Sequence, residues 1–315
     1  MKKIVLYVFI LVLPAIIAFL GLNFAYKQTN FFKSTYNNTD RFNHVPDRIQ
    51  LCNVGTSHGC FGIKWEDYPG LNAFNFAQTS QPFYMDLIML KHFEKKIAED
   101  AIVLIPLSFH QVYKYWQYSY IGSYYLFLSK QEIPSWSLQM YITKAALPIF
   151  DNMQLSAYIF KDIPTNKIDR FHYQERWTSC LSEGEMQELI DEHSMQWFVD
   201  GFNENSYQKN FNAVSAIVDY CYEQNYIPIF ITVPVYEDFN QAFDKFVPFI
   251  KKGFYKFSSE LCEKYPNVPY WDYSNDKDFS SNIELFMDDD HLNMYGAEKF
   301  TARIIEDLKK AGYLQ

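Results

Sequence analysis

Ile49-Gln50-Leu51-Cys52-Asn53-Val54-Gly55-Thr56-Ser57-His58-Gly59 is a short apolar run that breaks into a Gly-Thr-Ser turn. Such a run reads as a strand buried on both faces of a parallel sheet. A serine at the carboxyl end of that strand stands where open α/β sheets place their ligands. A second stretch near the other end of the chain completes the picture: Met287-Asp288-Asp289-Asp290-His291-Leu292-Asn293. Asp288 and His291 are three residues apart on a tight turn, so the carboxylate reaches the imidazole. With Ser57 they supply a nucleophile, a base and a base-orienting carboxylate, the parts that acyl transfer on a serine requires.

Working outward, 48–54 is a strand, 55–59 the nucleophile turn, 71–76 a second short apolar stretch and 81–94 a helix. Residues 101–106 (Ala-Ile-Val-Leu-Ile-Pro) form the clearest parallel-type strand. The alternation resumes with a helix at 206–223, a strand at 227–233, a helix at 246–265, a short strand at 268–272 and a closing helix at 296–311. Strands alternating with helices predict an α/β fold, a parallel sheet flanked by helices. Residues 112–204 break the rhythm and read as a mostly helical, aromatic-rich insertion. Its Trp116 and Trp136 are read either as packing and membrane-proximal surface or as a glycan platform.

At the N-terminus, Lys2-Lys3 precede 4–22, a run of 19 residues without a charge. Its helical length of roughly 28 Å matches a bilayer core. The expected organisation is an anchor over 1–26, a polar stalk over 27–47 and a catalytic domain over 48–315. A cleaved signal is the alternative, with a poor cut after Ala25. The two lysines orient the N-terminus to the cytoplasm, which places the rest outside it, on a single-pass membrane protein. A net charge of −9 excludes a nucleic-acid binder, which needs a basic stripe. Five cysteines, with no CxxC pair, read as buried free thiols and predict neither a metal nor a redox centre. No cofactor is expected, and a metal held by Asp288, Asp290 and His291 alone would need ligands from further segments.

Gly55-Thr56-Ser57-His58, Asp288-x-x-His291 and the following Leu292-Asn293-x-x-Gly296 resemble the first and last blocks of the SGNH/GDSL hydrolase superfamily. The resemblance covers roughly 48–110 and 205–311 and implies a flavodoxin-like fold with catalytic Ser57, Asp288 and His291. The family's second block supplies an oxyanion-hole glycine; Ser80 in Asn75-Phe76-Ala77-Gln78-Thr79-Ser80 is the best match, and its backbone N–H survives the change. The third block's asparagine is missing from Leu107-Ser108-Phe109-His110-Gln111, leaving Ser108, His110 or Gln111 as substitutes among which the sequence does not choose. His58 is either a bystander or a contact for the acyl donor.

The anchor and the divergent third block shift the resemblance toward the membrane-anchored cell-envelope branch, of the DltD, AlgJ and AlgX types. That resemblance implies O-acyl transfer to an envelope polysaccharide or teichoic-acid-like polymer, with a membrane-bound O-acyltransferase as acyl-donor partner. A polysaccharide O-acyl esterase with the same triad is the first alternative. A non-catalytic scaffold or polymer-binding subunit is the second.

Overall fold

The computed structural model describes residues 2–29, 31–36, 39–113, 121–151, 159, 180–200 and 204–314, with the side chains at 2–9, 11, 34–36, 121, 194–200 and 204 outside the description. The chain divides into two compact units, Val45–Ser119 with Glu175–Gln315, and Met1–His44 with Tyr120–Gln174.

The larger unit is built on five parallel strands: β1 (Ile49–Asn53), β2 (Ala73–Asn75), β3 (Ile97–Pro106), β4 (Ile227–Thr232) and β5 (Tyr270–Asp272). Their order is β2-β1-β3-β4-β5, the flavodoxin-type order with its switch point between β1 and β3. Leu51 pairs with Ala73 on one side and Ile102 on the other, and Leu104 pairs with Ile229. The three central strands carry apolar residues at successive positions because neither face meets water: Ala101 to Ile105 and Ile229 to Ile231 are all buried. The edge strands are three residues each, which limits pairing with other chains.

β3 begins at Ile97, ahead of the apolar run at 101–106, because an irregularity in the β1–β3 register lets Glu99 and Asp100 stay exposed. A helix at Glu237–Phe246 was also not foreseen; it abuts Pro248–Lys264 at Val247, where Pro248 takes the first helical position and needs no N–H partner. The helices fall into two packed groups. Phe83–His92 packs on Glu204–Glu223, which packs on Pro248–Lys264, and Phe257 joins them by ring contacts with Phe83, Tyr207 and Phe211. Ser57–Gly62 packs on Met294–Lys310, whose Phe300 meets Tyr273 and Phe279 edge to face.

In the smaller unit, the helix Lys2–Gln28 gives Asn23 Nδ2 and Lys27 Nζ to the carbonyls of Ala146 and Ala145 (3.0 and 2.9 Å). Phe19 stacks on Phe150, and Tyr26, Phe32 and Ile149 form a small core. The segment read as a stalk carries the turns Phe31–Tyr36 and Asp40–His44, with Phe32, Arg41 and Phe42 buried. Trp136 stands near Tyr125 and Tyr141, with Lys130 Nζ 4.5 Å from its ring centroid. Trp116 lies outside the described residues. Of the expected insertion, 120–174 belongs to the smaller unit, and 112–119 and 175–204 to the larger.

The run expected to cross the membrane lies in the helix Lys2–Gln28, where Ile10, Val12, Leu13, Ile16, Ile17, Leu20, Leu22 and Phe24 are exposed. Among the described residues no helix is long and apolar enough to cross a membrane, and the side chains at 2–9 and 11 lie outside them. All five cysteines are free; Cys52, Cys60 and Cys221 are buried as expected, whereas Cys180 is exposed and Cys262 half-buried.

Candidate active site

Ser57 opens the helix Ser57–Gly62 directly after β1. Gly55 makes the sharp turn between them at φ +117°, a left-handed conformation in which a side chain would also press on Pro106 at the end of β3. Its N–H donates to Asp86 Oδ1 (2.9 Å), which also accepts from Gln81 Nε2 (2.6 Å). A pair of buried asparagines fastens the same turn from the other side. Asn53 Nδ2 donates to Asn75 Oδ1 (2.8 Å), Asn53 Oδ1 accepts from Trp65 Nε1 (2.9 Å), and Asn75 Nδ2 donates to the carbonyls of Gly59 and Ile63 (both 2.9 Å). Polar residues inside apolar strands thus close the backbone bonds that the abrupt strand-to-helix turn leaves open.

Asp86 is wholly buried, and burial pushes its carboxyl up to about 8 against the opposing hydrogen bonds from Gln81 and Gly55. Its Oδ2 has no hydrogen-bond partner among the described residues. Because the folded pKa exceeds the unfolded one, the contribution is complete near pH 4 and is lost as pH rises toward 8. Asp86→Asn is permanently neutral and keeps the Oδ1 acceptor. The melting temperature of the variant minus that of the wild type should therefore climb between pH 5 and pH 8; a flat difference would mean that Asp86 is already ionised at pH 5.

The last-block loop brings the base to this serine. His291 Nε2 is 2.7 Å from Ser57 Oγ, and His291 Nδ1 is 2.9 and 3.1 Å from the two oxygens of Asp288. Asp288 Oδ1 also accepts the backbone N–H groups of Asp290 and His291 (3.2 and 2.8 Å), which locks its rotamer. The carboxylates around Nδ1 hold a proton there, and in the neutral ring Nε2 then accepts from the serine. Burial disfavours the charged ring, but Asp288 and Asp290 outweigh it and hold His291 well above the ordinary imidazole range.

Asn293 holds this loop from both ends. Its Oδ1 caps the helix Met294–Lys310 by accepting from Tyr295 and Gly296, and its Nδ2 donates to the carbonyls of Glu284 and Phe286. Gly296 is required here by space: a Cβ would stand 2.2 Å from the Leu285 carbonyl oxygen, which itself accepts from Asn293 N. Because backbone must move to admit it, Gly296→Ala should destabilise the protein by about 2–3 kcal/mol, read as a lowered urea midpoint with an unchanged slope.

Asp289 and Asp290 are buried, because other side chains close over them. Asp289 meets His193 Nδ1 (2.8 and 2.9 Å), and that contact leads the causes that push His193 up to about 9. Asp290 Oδ1 stands 2.8 Å from His291 Nδ1, and its Oδ2 3.4 Å from His58 Nε2. Neither His193 nor Asp86 carries a local sequence signal, since each acts on a residue far away in the chain.

Of the remaining candidates, His58, Ser108 and His110 line one small cavity together with Asp290, Leu107, Phe109 and Phe243. His58 stacks between partners, its ring centroid 4.9 Å from His110 and 4.7 Å from His291. Gln111 turns away, donating to the Gln81 carbonyl and presenting its own carbonyl to Asn210. Ser80 is half-buried in left-handed backbone (φ +56°) and is not among the cavity's lining residues, whereas the neighbouring Gln78 N–H donates to the Gly55 carbonyl. Three overlapping sets of side chains bring ligand atoms within 4.8 Å of one another: His58, His110 and Asp290; His193, Asp289 and Asp290; and Asp288, Asp290 and His291.

No protein-family model matches this chain, and no curated protein matches its sequence. Among solved structures, the chain is similar to a candidate acylhydrolase from Bacteroides fragilis, with a TM-score of 0.42 and 10% identity over 88% of this chain and 98% of that one.

Proposed function

We propose that this chain is an SGNH-type serine enzyme that transfers an O-acyl group to a cell-envelope polysaccharide or teichoic-acid-like polymer. The alignment of Ser57 Oγ, His291 and Asp288 at 2.7 and 2.9 Å carries the reading. His291 Nε2 takes the hydroxyl proton as Ser57 attacks the acyl carbonyl, and Asp288 steadies the imidazolium that forms. Collapse of the tetrahedral intermediate returns that proton to the leaving group and leaves an acyl-serine. A polymer hydroxyl then attacks, with His291 again as base, and the acyl group passes to the acceptor. Ser57 N–H and Ser80 N–H are, by resemblance, the two candidate donors to the oxyanion.

The reading includes an N-terminal anchor over 4–22, supported by its uncharged sequence and the exposed apolar side chains from Ile10 to Phe24. It also includes an extracytoplasmic catalytic unit fed by a membrane-bound O-acyltransferase, which rests on the resemblance of the motifs. Hydrolysis of the acyl-serine by water would make the same site an esterase.

The test uses the full chain in detergent, a chromogenic acetyl ester and an oligosaccharide acceptor, with products followed by mass spectrometry. An acetyl group on Ser57 and acetylated oligosaccharide are expected. Acetate alone at every acceptor concentration would give the esterase; neither acyl-serine nor turnover would leave a scaffold.

A further inference from the structure

We propose that His58, His110 and Asp290 form a binding site for a single divalent transition cation of the zinc type, beside the triad. The three side chains come from three segments: the helix after β1, the loop after β3 and the loop before the closing helix. Their exposures are 4, 8 and 8%, so all three are withdrawn from water. Two imidazoles and a carboxylate are a zinc-type ligand set, and three protein ligands leave one coordination position open.

The spacing supports an ion better than a hydrogen bond. His58 Nε2 and Asp290 Oδ2 stand 3.4 Å apart, and neither His58 nitrogen has a hydrogen-bond partner among the described residues. Two ligands on one tetrahedral ion with bonds of about 2.0–2.1 Å are separated by about 3.4 Å. An imidazole buried with a carboxylate oxygen 3.4 Å from its Nε2 is poorly satisfied, and a coordinate bond at Nε2 would relieve that cost. The candidate ligand atoms of all three residues lie within 4.8 Å of one another, so modest side-chain rotations would bring His110 into the shell. The cavity that they line has a volume of about 10 Å³. That is room for about one water or ion and not for an acyl chain.

The two overlapping sets fit less well. Asp289 already has both oxygens on His193 Nδ1, and a cation on Asp288, Asp290 and His291 would take Nδ1 away from the triad. A cation at His58 and His110 instead neutralises one of three consecutive carboxylates and leaves the Asp288–His291–Ser57 line intact.

The full chain, stripped with a chelator and dialysed against zinc, should retain about one equivalent by elemental analysis. His110→Ala and His110→Gln should each weaken zinc binding by about 100-fold, while His193→Ala should bind as the wild type does. Cobalt in place of zinc should give the intense visible bands of a four- or five-coordinate site. Absence of bound zinc, wild-type binding by both His110 variants, loss of binding in His193→Ala, or a weak octahedral cobalt spectrum would each overturn the site. Acyl-serine formation is measured separately, so failure of the cation site and failure of the triad reading give different results.

Discussion

Replacing Ser57 with alanine is expected to lower turnover of an acyl ester by about 10⁴-fold or more, equivalent to about 5.5 kcal/mol of transition-state stabilisation. The loss is large because the hydroxyl is the bond-forming atom; without it His291 has nothing to deprotonate except water. Residual activity reports what the rest of the cleft does alone. The fold should persist, since the change removes one hydrogen bond, to His291 Nε2, worth about 1 kcal/mol. Intact-mass measurement after incubation with the ester should show the acetyl increment in the wild type and none in Ser57→Ala. An acetylated Ser57→Ala protein would place the nucleophile elsewhere.

Asp288→Asn is expected to reduce turnover by about 10³- to 10⁴-fold through the tautomer of a neighbouring ring. Asp288 Oδ1 is held by two backbone N–H groups, and asparagine would keep its carbonyl oxygen there. Its amide nitrogen then takes the place of Oδ2, 3.1 Å from His291 Nδ1, and donates to it. That favours the ring proton on Nε2, facing Ser57 Oγ, where the base can no longer accept, and only Asp290 Oδ1, 2.8 Å from Nδ1, opposes the change. Because the side chain keeps its shape, the melting temperature should change little while turnover falls. Turnover within tenfold of the wild type would show that Asp288 does not orient the base.

The local chemistry of the sequence made much of this legible. Unbroken apolar runs at 101–106 and 227–233 announced strands buried on both faces, and their alternation with helical periodicity announced a parallel sheet. Asp288 and His291 were legible as a pair because three residues separate them. The helix Glu237–Phe246 was missed although its sequence carries helical signals: Phe239, Ala242, Phe243 and Phe246 recur at helical spacing, Glu237 and Asp238 stand in its first turn and Lys245 in its last. The burial of Asp289 and Asp290 was not legible, because it depends on what closes over each carboxylate, and here His193 and His58 do so.

By itself the sequence determined the strand-and-helix alternation and the two turns bearing Ser57 and the Asp288–His291 pair, since periodicity and turn chemistry act over a few residues. The tertiary structure decided everything that depends on strand order. The order β2-β1-β3-β4-β5 sets β1 and β3 side by side, brings Ser57 to a base 234 positions away, and gathers His58, His110 and Asp290 around one cavity. It also decided that 1–44 and 120–174 form one compact unit. Contacts between distant segments are fixed by which buried surfaces cover one another, and a linear pattern does not encode that pairing directly.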